Sequence, residues 1–169
     1  MSAPQLQLAG ALLVLVLVLG CATGGRLGGG AAALRLSELT DEGDATRRAS
    51  LRLCVDGLDA AVDGRRVAAL GQYERAIQID PTNPYAYLVL ARHELEAGDP
   101  LRGLEYLNQS ETLLESENAR SREVEAHLVG LRGVALRATG SAGDGYLEQA
   151  RRLAPAVWDD GRLTPAELR

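Results

Sequence analysis

The sequence predicts an all-α domain built as a stack of about three antiparallel helix pairs, and three observations predict it. Apolar residues recur three and four apart, as in Ala69, Tyr73, Ala76 and Ile77, the spacing that lines one face of a helix. Gly and Pro punctuate these runs at short intervals, so successive helices are joined by tight turns and pack side by side. The pattern then returns: Leu53, Gly57, Gly64, Ala69 and Tyr73 are followed 34 positions later by Tyr87, Ala91, Gly98, Gly103 and Leu107. A fixed period of this size marks a repeat array, whose hairpins bury their apolar faces against one another.

Ahead of the array stands a segment of different character. Residues 1–20 contain no charged side chain, and residues 8–20 are nearly all Leu, Val, Ala and Gly. Such a run is short for a membrane span and suits a signal-peptide core. It closes on Val18-Leu19-Gly20-Cys21, which resembles the lipobox of bacterial lipoproteins: a branched apolar residue, a tolerated position, a small residue, then a thiol. The resemblance implies cleavage after Gly20, a diacylglycerol on Cys21 and a place in the bacterial cell envelope facing the periplasm. In the lipoproteins of two-membrane bacteria that this segment resembles, an Asp after the Cys retains the protein at the inner membrane, so the resemblance with Ala22 in that place implies the outer membrane. Several acyl chains on one residue would anchor stably, since each buried methylene contributes roughly 0.8 kcal/mol.

Residues 21–43 then read as the lipidated Cys and a flexible tether, with Gly24-Gly25 and Gly28-Gly29-Gly30. As a coil it spans on the order of 25 Å, enough to hold a domain off the membrane surface. Ala31-Ala32-Ala33-Leu34-Arg35-Leu36 is apolar enough to dock on that domain; a weakly structured linker is the other reading.

The helices follow in order. Asp44 is placed to cap a first helix running to about Asp63, which carries Leu51, Leu53, Cys54, Leu58 and Val62. The second ends before Pro81, which lacks an N–H and pushes Asp80 out of the helical region. Asn83-Pro84 opens the third and Asp99-Pro100 the fourth, each an N-cap followed by a first-turn Pro. Ser116-Glu117-Asn118 breaks the apolar pattern. Gly57 and Gly133 are 76 apart where two periods would give 68, so eight residues are inserted around 115–123. The third pair is recognised by Gly133, Gly140 and the stretch Gly145 to Pro155, which echoes Gly71 to Pro81. Residues 156–169 form a tail in which Trp158 covers the exposed face of the last pair, and Thr164-Pro165-Ala166-Glu167 starts one final turn.

These positions resemble the tetratricopeptide repeat. Copy one (50–83) matches with Leu53, Gly57, Gly64, Ala69, Tyr73, Ala76 and Pro81; copy two (84–117) with Tyr87, Leu90, Ala91, Gly98 and Leu107; copy three (126–157) by its ends. The resemblance implies a right-handed stack over residues 44–155, with a concave face lined by the first helix of each pair. Carried over position by position, that face takes Leu51, Cys54 and Leu58, then Tyr85, Leu88 and Arg92, then His127, Gly130 and Val134. The Lys and Asn with which some family members hold a C-terminal carboxylate are missing. An apolar groove with Arg92 as its one cation implies an extended or helical apolar segment of a partner protein as ligand.

Composition narrows the rest. The chain has 169 residues, a net charge of -5 and 18 basic residues, all Arg; no basic stripe interleaves with aromatics, which argues against nucleic acid. Cys54 sits in apolar surroundings as a small hydrophobe, and with Cys21 lipidated no internal disulfide is possible. His93 and His127 are single and far apart, and Glu111, Glu115, Glu117, Glu123 and Glu125 read as a solvated face. Taking Gly161 as the sixth position of a calcium loop puts Ala156 and Trp158 at its first ligand positions, where neither offers a carboxylate. No nucleophile elbow, phosphate-cradling loop or HExxH stands in the sequence, so no enzyme, cofactor or metal is expected. The expectation is a membrane-anchored, non-catalytic interaction scaffold or assembly factor. The alternative is a small-molecule-binding or transporter-associated component, which an enclosed cavity rather than an open trough would favour.

Overall fold

A computed structural model describes residues 33–169. The signal segment, Cys21 and the glycines of the tether lie outside the described residues. Among them the fold is all-helical: α1 (Ala45–Val62), α2 (Arg66–Ile79), α3 (Pro84–Ala97), α4 (Pro100–Ser116), α5 (Arg122–Ala138), α6 (Asp144–Leu153), and two single turns, α7 (Pro155–Trp158) and α8 (Pro165–Leu168). A 3-10 turn at Leu36–Glu38 precedes them.

The starts are set by side-chain caps, as the residue types require. Asp44 accepts from the Arg47 N–H at 2.8 Å, Asn83 from Tyr85 at 3.0 Å, Asp99 from Arg102 at 3.0 Å and Ser121 from Val124 at 3.3 Å. Each hairpin turns on a glycine in the left-handed region, with φ of 76° at Gly64, 89° at Gly98 and 77° at Gly140. A side chain there would be strained, and the recurrence explains why glycine returns at these turns.

The hairpins α1–α2, α3–α4 and α5–α6 are the tightest packings, and α2 on α3 and α4 on α5 join one hairpin to the next. The first helices α1, α3 and α5 also touch in sequence, forming one continuous layer. Close approach within a hairpin depends on a small residue facing a large one. A Cβ at Gly57 would lie 2.3 Å from the Tyr73 ring, and one at Gly133 would lie 2.9 Å from Leu147. Polar ties cross the same interfaces. Ser50 Oγ donates to the Ala76 carbonyl at 2.8 Å and accepts from Asn83 Nδ2 at 2.8 Å, while Ser110 Oγ donates to the Pro84 carbonyl at 2.9 Å.

The eight-residue insertion does not form a loop. Most of it is taken up as helix: α4 has 17 residues where α2 has 14, and α5 has 17 where α3 has 14, the connection between α4 and α5 (117–121) being one residue longer than that between α2 and α3 (80–83). Three residues are nearly one helical turn, so the apolar faces keep their direction. The turn between them reverses through Asn118 at φ 52°.

Candidate functional site: the inner layer and its covering segments

The residues assigned to the concave face do lie on one layer, Leu51, Cys54 and Leu58 on α1, Tyr85, Leu88 and Arg92 on α3, and His127, Gly130 and Val134 on α5. They do not line an open groove. Leu51, Leu58, Leu88 and His127 are enclosed, Arg92 is 4% exposed, and Tyr85 and Val134 are half-buried. The expectation of a free trough is corrected here, because the segment before α1 and the one after α6 cover the layer.

The first cover is the segment before α1. Its 3-10 turn packs on α1, and Leu34 and Leu36 are buried. With Ala119 and Val124, this segment encloses a depression of about 310 Å³ against Tyr85. The docking reading of Leu34 and Leu36 is therefore the one realised, since extended coil would leave both leucines in water.

The second cover is the C-terminal tail, which does more than close the last pair. The Trp158 ring is fully buried and presses so closely on Gly130 that a Cβ there would lie 2.3 Å from it. Its indole N–H donates to His127 Nδ1 at 3.3 Å. Beyond it the chain turns back over the layer, and Leu163, Thr164 and Pro165 face Leu95 of α3 and Leu131 and Val134 of α5 across a cleft. α8 then packs on α1, with Leu168 buried. Its start is held by a capping box: Thr164 Oγ1 accepts from the Glu167 N–H, and the Glu167 carboxylate accepts from the Thr164 N–H at 2.8 Å. The Arg169 carbonyl accepts from the Ser37 N–H at 2.8 Å, and the Arg169 guanidinium pairs with Asp59. Both covers thus meet over α1.

Burial sets the chemistry of the enclosed groups. His127 is held down to about 4 by desolvation of its charged form, against a weak opposing pull from Glu123, and its Nε2 has no partner. Desolvation also pushes the Cys54 thiol far up, helped by the Asp80 charge, so it is not a nucleophile. His93 is buried as well: it is 7% exposed and meets Tyr73 edge-on at 5.9 Å.

The glutamates are not simply a solvated face either. Arg120 gathers Glu111, Glu115 and Glu125 at 3.0, 2.6 and 2.6 Å, and Arg132 reaches Glu111 at 2.7 Å. Glu117 pairs with Arg47 at 2.7 Å, and Arg47 also holds Asp80 at 2.5 Å. Burial alone would raise the Asp80 carboxyl, but hydrogen bonds from Thr82 and Arg47 outweigh it and keep it below the usual range. These arginines tie successive hairpins together and were not singled out from the sequence, where an i-to-j pairing 70 residues apart leaves no local mark.

Between the tail and the layer a cleft of about 400 Å³ remains, with Arg92 and Arg162 on its polar side. Among the described residues no group of His, Cys, Asp and Glu could hold a metal ion, and no helix is long and apolar enough to cross a membrane. Comparison with protein-family models, with curated proteins and with solved structures finds no match.

Proposed function

We propose that this chain is a non-catalytic interaction scaffold or assembly factor of the tetratricopeptide-repeat type, held in the bacterial cell envelope by lipid on Cys21. The observation that carries the reading is the 34-residue recurrence together with hairpins whose first helices form one layer, an architecture that displays extended surface. Val18-Leu19-Gly20-Cys21 and the glycine-rich tether support the anchored placement on the periplasmic side, with the outer membrane as its destination. The partner is a polypeptide segment seated in the depression at Tyr85, where the half-buried Tyr85 and Leu39 offer apolar surface and Arg35, Glu38 and Glu123 form a charged rim. Leu51, Leu58, Leu88 and His127 serve the fold instead, being enclosed by the chain itself.

Two measurements test this. Mass spectrometry of membrane-extracted protein should give a mature N-terminus at a lipidated Cys21; any other N-terminus overturns the anchored placement. A photo-crosslinking residue at Tyr85 should capture one defined envelope protein, while the same group at the exposed Arg75 on α2 should not. Equal capture from both positions, or none from Tyr85, removes the partner assignment. A charge at Leu88 is no test, since it would unfold the layer.

A further inference from the structure

The cleft beneath the C-terminal tail has a charge opposite to that of the chain. The protein carries a net charge of -5, yet two arginines, Arg92 and Arg162, line this cleft against the single carboxylate of Glu96. That carboxylate is also shared: it lies 3.0 Å from Arg92 and 3.3 Å from Arg66. The Arg92 side chain is 4% exposed; Nη1 faces Glu96, while Nε and Nη2 make no well-formed hydrogen bond even though the buried Tyr73 hydroxyl lies beside the guanidinium. A guanidinium withdrawn from water with two idle nitrogens is unfavourable, and its planar fork matches a carboxylate in geometry as well as charge. Leu95, Leu131, Val134 and Leu163 line the same cleft and give a ligand chain apolar surface to lie on. Thr164 offers no competing hydroxyl, because its Oγ1 donates to Glu167 at 2.7 Å.

We propose that this cleft binds a small amphiphilic carboxylate, an aliphatic acid whose headgroup pairs with Arg92 and Arg162 and whose chain lies on Leu95, Leu131, Val134 and Leu163. The volume of about 400 Å³ is at the small end of ligand pockets, which favours a free acid of modest length. Because Leu163 belongs to the tail and Leu131 to α5, such a ligand would also fasten the tail to the layer.

The test is a calorimetric and carboxyl-carbon NMR titration of octanoate into the full chain in lipid nanodiscs, with empty nanodiscs as reference. One-to-one saturable binding is expected, with octan-1-ol at least about tenfold weaker because it lacks the charge. Val134→Trp should abolish binding by filling the cleft. Arg92→Met should weaken it about tenfold or more, and so, to a smaller degree, should Arg162→Ser on the exposed tail. If Arg92→Met fails to fold by circular dichroism, Arg162→Ser and Val134→Trp decide. Binding no greater than that of empty nanodiscs, octanol as tight as octanoate, or octanoate unaffected by Val134→Trp would each overturn the proposal.

Discussion

Trp158 Nε1 and His127 Nδ1 lie 3.3 Å apart, donor to acceptor, and this bond requires the imidazole to stay neutral. A proton on Nδ1 would set two donors against each other inside the core. The folded state keeps His127 at about 4, below the ordinary 6.5, so the unfolded chain takes up the proton first as pH falls. Stability is therefore full above pH 6.5 and is lost progressively down to pH 4, by roughly 3 kcal/mol. His93, also held low by burial, adds in the same direction. Urea unfolding followed by emission of the single Trp should show this loss. His127→Gln, which can still accept from the indole, should remove the larger part of the slope between pH 6.5 and 4.

Two helical glycines should respond to alanine with opposite signs. Gly57→Ala places a Cβ 2.3 Å from the Tyr73 ring and should destabilise by roughly 1–3 kcal/mol through overpacking. Gly71→Ala meets nothing within 4 Å and should stabilise α2 by roughly 0.5–1 kcal/mol. Urea midpoints of the two variants check both; equal shifts would mean that the α1–α2 contact is looser than described.

Arg47 ties α1 to the turn before α3 and to the end of α4, so its loss should be felt across two hairpins. Arg47→Met leaves the Asp80 carboxylate, 9% exposed, without its cation, at a cost of roughly 2 kcal/mol. The Asp80 carboxyl should then titrate higher, because the Thr82 hydrogen bonds alone are left to oppose desolvation. The stability it contributes is present above the usual carboxylate range and lost as pH falls through it, so the acid limb of the stability profile should move to higher pH. Carboxyl-carbon NMR of Asp80 and acid unfolding measure the two shifts.

Cys54 offers a clock for opening of the fold. Its thiol is wholly enclosed and pushed far above its ordinary value, so an aromatic disulfide reagent at pH 8 should modify it only as fast as the core opens. The rate should rise steeply in sub-denaturing urea. Modification within seconds in native buffer would place Cys54 outside the core.

Much of the helical framework was legible because its signals are local. Asp44, Asn83 and Asp99 cap the helices they were expected to cap, and the turn glycines fall where left-handed backbone is needed. The covers were legible only in part: Leu34 to Leu36 and Trp158 read as covering segments, but nothing local marks the return of α8, which meets α1 across more than 100 residues of chain. The local pattern fixes which face of α1 is apolar, and says nothing of which segment lies on it. A physical clue was present in both partners. Leu51, Cys54 and Leu58 leave α1 with too apolar an inner face for water, and Val157, Trp158, Leu163 and Leu168 give a short tail too many apolar side chains to leave free. The break in the apolar pattern at 116–118 falls on the connection between α4 and α5, but that both helices run on to 17 residues depended on their finding partners along the added turns.

The backbone bond from Ser37 to the Arg169 carbonyl brings both ends of the described chain to one spot beside α1. In effect the fold is a closed circuit whose order of threading is separable from its shape. A short linker joining residue 169 to residue 33, with a new opening cut at the exposed turn after Gly140, should yield a circular permutant that reaches the same packed arrangement.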